Sequence, residues 1–495
     1  MSVIVSRMAL DHFRSWDHCI IDFPPGVTVI QGANGMGKTN LVEAIEVLST
    51  GSSHRTSGSL PLVQRGYESA TIRANIVDIG LNATGSRPED DAAANAESTS
   101  NSLEAGSEQP NEKLNSNQDL QSERDAAPQQ VADGGDRDDG STAYTTIELT
   151  IRAHGANRAR IDGGASMYMR DILGRLPSIS FTPEDQRLVS GDPATRRGFI
   201  NQAGALLIPG YDEVHQACAK IAKQRAALLK QLGKPAAEQH SGYDQSNQNM
   251  YSGPAGAAEH ADALQPALNG LEIWTGQFIE TGIRLTRMRK RIIDQLAPLF
   301  SRNYDALSGG GEHVSLAYLP SFDEVLEEDE PHQLISRHFQ RIYPGEVARG
   351  QNLIGPHRDD MVLTLEGVPA KEFASNGEMW TMALALKMAL ATLIEQTTGN
   401  APIVILDDVF AQLDETRRRQ ILEFAVRRDQ VLITAAAAGD VPDLSPYGAH
   451  ARIVDIAALR HESEGMQSDQ LLTDETVSRI RAARQQNDAG DEASA

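Results

Sequence analysis

The segment Gly32-Ala33-Asn34-Gly35-Met36-Gly37-Lys38-Thr39 fits the pattern G-x-x-x-x-G-K-[ST], and its flanks restrict the chain to few folds. Before it, Gly26-Val27-Thr28-Val29-Ile30 reads as a buried strand. After it, Leu41, Ala44, Ile45 and Leu48 fall on one stripe of a helix over Asn40 to Leu48, whose N-terminal amides face the loop. Strand, glycine-rich turn and helix form a phosphate cradle. Gly32, Gly35 and Gly37 let the backbone fold round an anion, and Ala33, Asn34 and Met36 add main-chain groups. Lys38 is placed to reach β- and γ-phosphates, and Thr39 to ligate Mg²⁺.

Such a loop needs carboxylates delivered by a neighbouring strand. Ala401-Pro402-Ile403-Val404-Ile405-Leu406-Asp407-Asp408 is a continuous apolar run ending in two acids, the pattern of a central parallel strand of the Walker B kind. Asp407 is expected to hold Mg²⁺, and Asp408 to orient or deprotonate an attacking water. Six residues on, Asp414 lies where a subunit-contacting loop would fall and is also the natural N-cap of a helix over Glu415 to Arg427. Gln430-Val431-Leu432-Ile433-Thr434 follows as the next strand. About 30 residues upstream, Ser375-Asn376-Gly377-Glu378 opens a helix with Met379, Met382, Ala383, Leu386, Leu390, Leu393 and Ile394 at helical period. Alone this is a capping box. Placed ahead of a Walker B strand it resembles an ABC-type signature, which implies that Ser375, Gly377 and Glu378 at a helix N-terminus face the γ-phosphate of ATP held by another subunit. Head-to-tail pairing of two chains follows.

Charge is uneven. The formal −23 includes −10 between Leu81 and Gly140 and −5 from His461 to Ala495, leaving −8 for the rest, so any polyanion-binding surface must be a local basic patch. Residues 80–142 carry almost no aromatic or β-branched side chains and read as a disordered acidic insertion. It joins two alternating strands, Ala70 to Val77 and Thr145 to Ile151. A second polar stretch, 233–263, separates a helical pattern through Val214, Cys218, Ile221, Leu228 and Leu229 from another over Leu271 to Leu299, which together predict a short antiparallel arm. The expected division is therefore an α/β P-loop head built from 1–79 with 143–205 and from 346–460, a helical arm at 206–345, and a flexible acidic tail at 461–495. Two cysteines, the absence of an apolar signal core and of any run of eighteen apolar residues predict a cytoplasmic chain without a membrane partner.

Further segments narrow the class. Leu10-Asp11-His12-Phe13-Arg14-Ser15-Trp16, Ser53-His54-Arg55-Thr56, Phe181-Thr182-Pro183-Glu184-Asp185, Leu188-Val189-Ser190-Gly191-Asp192-Pro193, Arg196-Arg197-Gly198-Phe199-Ile200-Asn201 and Gly355-Pro356-His357-Arg358-Asp359-Asp360 resemble the RecF family in order and spacing. The resemblance implies an ABC/SMC-type head of mixed sheet and flanking helices. It also implies binding of single- and double-stranded DNA, dimerisation on ATP, slow DNA-stimulated ATP hydrolysis, and recombinase loading at gaps with small mediator partners. Roles in replication, DNA repair and the SOS damage response belong to the same implication. Two departures bear on it: Met379-Trp380 stand where the family usually has Gln-Arg, and Asn201 where Asp is usual. Candidate DNA contacts are Arg14, His54, Arg55, Arg196, Arg197 and the arm cluster Arg284, Arg287, Arg289, Lys290 and Arg291, although His357 to Asp360 equally suits an internal ion-pair network. The alternatives fit less well. An SMC-like DNA-organising ATPase needs hundreds of heptad residues, and the nucleotide-binding subunit of a membrane importer would end the strand after Walker B in histidine, where Thr434-Ala435 stand.

Overall fold

The computed structural model describes residues 3–56, 58–79, 144–233, 255–447 and 451–464. The insertion 80–142 and the tail beyond 464 lie outside the described residues. Parallel and antiparallel strands divide between two main sheets. A parallel sheet has the order β14-β3-β13-β12-β8, with β3 Gly26–Gln31, β8 Ser178–Phe181, β12 Ile403–Asp407, β13 Gln430–Ala435 and β14 Ala451–Asp455. An antiparallel sheet has the order β2-β1-β4-β5-β6-β7, with β2 Trp16–Asp22, β1 Val3–Phe13, β4 Ser69–Asp78, β5 Thr145–Arg152, β6 Arg158–Ile161 and β7 Met167–Tyr168. The strands flanking the acidic insertion are direct neighbours, with Ile72 opposite Leu149.

Both faces of β3, β12 and β13 are buried, which explains their largely apolar runs. Successive strand residues point to opposite faces. Ile403 and Ile405 of β12 therefore enter one core with the antiparallel sheet and helix α1 (Lys38–Thr50), while Val404 and Leu406 enter a second core with most of the other helices. The second core takes α2 Pro193–Leu207, α3 Tyr211–Leu232, α4 Ala255–Ser308, α5 His332–Arg349 and α6 Asn376–Thr398. A three-stranded sheet β11-β10-β9 lies beside α4, with β9 Val314–Leu319, β10 Asp360–Leu365 and β11 Val368–Pro369. Helix α6 has the length and apolarity to cross a membrane, but 83% of its apolar window is buried inside the protein.

The arm differs from the sequence expectation in length. Helix α4 has 54 residues, about 80 Å of helix, and begins at 255 rather than 271. Its first turns are rich in alanine, a strong helix former, but lack an apolar stripe, so periodicity alone did not register them. The boundaries drawn at 205 and 345 both fall inside helices, α2 and α5, which continue across them into one core.

Candidate nucleotide site

Strand β3 runs into the P-loop, and β13 lies between β3 and β12, so the loop and the Walker B acids meet at the same carboxyl edge of the sheet. Thr39 Oγ1 donates to Asp407 Oδ1 at 3.1 Å, joining residues 368 apart in sequence. Gly32, Gly35 and Gly37 have φ of 149°, 82° and 98°. Two of them are also required by packing. A Cβ on Gly32 would lie 2.2 Å from Ile456 Cγ2, and one on Gly37 2.8 Å from Ser15 Oγ. Lys38 is buried and donates to Gly32 O at 2.8 Å and Asn34 Oδ1 at 3.2 Å, so its ammonium sits within the curl of its own loop.

The loop is braced from outside by residues that the motif did not reveal. Trp16 Nε1 donates to Gly37 O at 3.2 Å, Arg460 Nε donates to Met36 O at 2.8 Å, and the Arg460 guanidinium lies 4.5 Å over the Trp16 ring. Arg460 belongs to α8 (Ile456–Glu464), at the far end of the described chain.

Asp407 and Asp408 are arranged by Thr434 at the end of β13. Thr434 Oγ1 donates to Asp407 Oδ1 at 2.6 Å and accepts from the Asp408 amide at 2.9 Å. Burial, with Asp408 alongside, pushes the Asp407 carboxyl above its ordinary range against the hydrogen bonds from Thr434 and Thr39. Asp408 leaves the strand in a left-handed conformation at φ 50°, uncommon for a residue with a Cβ. The pleat stops there, and the second carboxylate takes a different direction from the first. A hydroxyl and a carboxylate within hydrogen-bond distance at the mouth of a glycine nest form a hard oxygen donor set of the kind Mg²⁺ takes beside phosphates.

The signature segment forms the expected capping box: Ser375 Oγ accepts from the Glu378 amide at 3.3 Å, and Glu378 Oε2 accepts from the Ser375 amide at 2.6 Å. Ser375 is exposed, whereas Met379 and Trp380 are core residues. Helix α6 packs on β8, and Lys387 ties it there by donating to Ser180 O at 2.7 Å and pairing with Asp185. Two strands separate β8 from β3, a span of about 14 Å, so the signature stands across the sheet from the P-loop of its own chain. Asp414 caps α7 (Glu415–Ala425) by accepting from the Arg417 amide at 2.9 Å, and this hydrogen bond holds its carboxyl below the ordinary range. The Arg417 side chain pairs with Asp414 and donates to Thr381 Oγ1 on α6 at 2.9 Å, linking Asp414 to the signature helix.

The basic candidates separate into internal and external groups. Arg14 makes a two-pronged pair with buried Glu43, and Arg196 another with Asp360 at 2.6 and 2.8 Å. Arg289 is fully buried against Asp359, and His54 pairs with Glu46 at 2.6 Å. These four candidates are paired within the chain, and donors committed to an internal acceptor have little left for a phosphate. Asn201 joins the same interior network, accepting from Tyr211 at 2.8 Å and Arg289 at 3.0 Å. Arg197 is partly buried and donates to Asp359 O. Arg55 remains 45% exposed. On α4, Arg284, Arg287 and Arg291 are exposed at helical spacing, and Lys290 pairs with Asp294.

Comparison with known proteins places this geometry. Residues 4–443 match the RecF/RecN/SMC N terminal domain. The chain is 52% identical over 465 residues to the DNA replication and repair protein RecF of Bifidobacterium adolescentis, covering 94% of each, and 33% identical over 460 residues to that of Beutenbergia cavernae, covering 89% of this chain and 95% of the relative. In fold it is similar to the recombination mediator protein RecF-ATPrS in the RecFOR pathway, with TM-score 0.66 and 21% identity over 92% of this chain and 97% of that one. With a nucleotide-type loop, its facing carboxylates and a signature helix on one framework, and relatives of this identity over nearly its whole length, the chain belongs to the RecF family.

Proposed function

We propose that this chain is an ATP-dependent DNA-binding protein of replication and recombinational repair that dimerises head to tail around ATP. The observation that carries the reading is the 3.1 Å contact of Thr39 with Asp407, which joins the phosphate-binding loop to the carboxylate strand. Gly32 to Thr39 bind the phosphates through main-chain amides, and Lys38 turns from its loop acceptors to the β- and γ-phosphates. Thr39 and Asp407 would hold Mg²⁺, which supplies charge neutralisation at the phosphate oxygens. Asp408 orients or deprotonates the attacking water, while Thr434 fixes the spacing of the two acids. Ser375 and Gly377 of the second chain close the site over the γ-phosphate, and Asp414 of each chain lies at the seam.

Single- and double-stranded DNA bind the clamped dimer, with Arg55, Arg197, Arg284, Arg287, Lys290 and Arg291 supplying the positive surface. Slow, DNA-stimulated hydrolysis releases it, and recombination-mediator proteins use the interval to load recombinase at gaps. The relatives named for DNA replication and repair support this reading. The test is Lys38→Ala, compared with the unaltered protein for dimer formation and for retention on gapped DNA with and without ATP over a range of salt. Loss of both ATP effects is expected; a variant that still dimerises and holds DNA in response to ATP would refute the mechanism.

A further inference from the structure

The hairpin that braces the P-loop also carries a cluster of ligating side chains that the nucleotide reading leaves unused. Strands β1 and β2 turn through Arg14 and Ser15, with Phe13 opposite Trp16 and Asp11 opposite His18. In a regular hairpin successive cross-strand pairs alternate faces, which would put His12 and His18 on opposite sides. His12 breaks the alternation with φ 51°, and its ring lies 5.2 Å from that of His18. One ligating atom each from His12, Asp17 and His18 lies within 4.8 Å of the other two.

We propose that His12, Asp17 and His18 bind a divalent transition-metal ion of the zinc class, leaving one position to water. Two imidazoles and a carboxylate suit Zn²⁺ and its neighbours, whereas Mg²⁺ and Ca²⁺ call for oxygen. Ligands about 2.0 Å from a tetrahedral zinc lie roughly 3.3 Å from one another. His12 Nδ1 and Asp17 Oδ1 already stand at 3.1 Å. Asp17 is 61% exposed and free to adjust, while the His12 ring is fixed by stacking on Tyr67 at 3.7 Å.

The surroundings of His18 match those of a metal ligand. Asp11 Oδ1 sits 2.9 Å from His18 Nδ1, while Arg73 holds the other oxygen of Asp11. A carboxylate fixed on one ring nitrogen sets the tautomer and presents the other nitrogen as the ligand. The ion would also stiffen the brace, because Asp17 directly follows Trp16, which holds Gly37.

The experiment titrates Co²⁺ into the full chain, stripped of metal and free of nucleotide, and follows visible absorption with competition by Zn²⁺. One equivalent should give a low-symmetry cobalt spectrum that Zn²⁺ removes. His12→Gln and His18→Gln should abolish it, Asp11→Asn should weaken binding about 10- to 100-fold, and His338→Gln, in the separate Asp323, Glu324 and His338 cluster, should leave it unchanged. Circular dichroism checks each fold, and the partly exposed His12 carries the test should His18→Gln not fold. No spectrum from the unaltered protein, its survival in the histidine variants, or its loss in His338→Gln overturns the proposal.

Discussion

Thr434 shows how much of the site rests on one side chain outside any motif. Its hydroxyl spans the Asp407 carboxylate and the Asp408 amide, so it sets the position of both acids. Replacing it with valine keeps the shape and leaves a buried amide without an acceptor, a cost of about 1–3 kcal/mol. Thr434→Val should therefore lower ATP turnover by roughly tenfold or more, each tenfold being about 1.4 kcal/mol of barrier. Thr434→Ser should recover most of the rate. A valine variant with unaltered turnover in a steady-state phosphate-release assay would show that the spacing of the two acids does not depend on this hydroxyl. The P-loop residues and Asp407 were legible in the sequence because their pattern is contiguous. Thr434 and Arg417 were not, because their partners lie 27 and 36 residues away and only the sheet and helix packing bring them together.

At the scale of elements, helices α3, α4 and α5 are fastened to one another by buried charge. Arg225 on α3 makes a two-pronged pair with Glu346 on α5 at 2.9 and 2.6 Å, donates also to Asn352 Oδ1 and to Thr275 Oγ1 on α4, and lies over Phe339. Both charged side chains are almost fully buried. Glu346→Ala leaves the guanidinium buried without its counter-ion and should destabilise the protein by about 3–5 kcal/mol, read as a fall in melting temperature. A shift within the scatter of the measurement would mean that the pair is dispensable. The same region sets a pH dependence. Burial, assisted by the nearby Arg289 charge, pushes the His215 imidazole down to about 4 from 6.5. As pH falls through that window the unfolded chain takes up a proton that the folded chain refuses, so stability is lost on the acid side; above it the group is neutral in both states and contributes nothing. Urea midpoints at several pH values should fall between about 6.5 and 4 by up to one proton's slope, about 1.4 kcal/mol per unit. In His215→Gln that portion of the slope should disappear, and an equal slope in the variant would assign the acid loss elsewhere.

For the whole molecule, the separation of the two nucleotide-facing elements matters most. The P-loop follows β3 and the signature helix packs on β8, with β13 and β12 between. The proposed completion of the site by a second chain makes a definite prediction for mixtures. Lys38→Ala lacks a working P-loop and Ser375→Arg a working signature, so neither variant alone should hydrolyse ATP. Mixed in equal amounts they form hybrid dimers holding one intact P-loop opposite one intact signature, and about a quarter of the normal activity should return. A mixture as inactive as its components would mean that each chain completes its own site. The length of α4 bears on the same scale. At about 80 Å it is an arm, far from the hundreds of coiled-coil residues that a chromosome-organising rod requires.

The sequence by itself determined the phosphate loop, the doubly buried strands β3, β12 and β13, and the capping box at Ser375. Each follows from short-range rules: a glycine where φ must be positive, an unbroken apolar run where both faces are covered, a serine and a glutamate three residues apart at a helix start. The tertiary structure alone decided which charges are spent inside the protein. Arg14, Arg196 and Arg289 look in sequence like Arg284, Arg287 and Arg291, yet the first three meet Glu43, Asp360 and Asp359 across separations of 29 to 164 residues. Whether a cation is consumed or free depends on which distant carboxylate packing places beside it, and no local period encodes that.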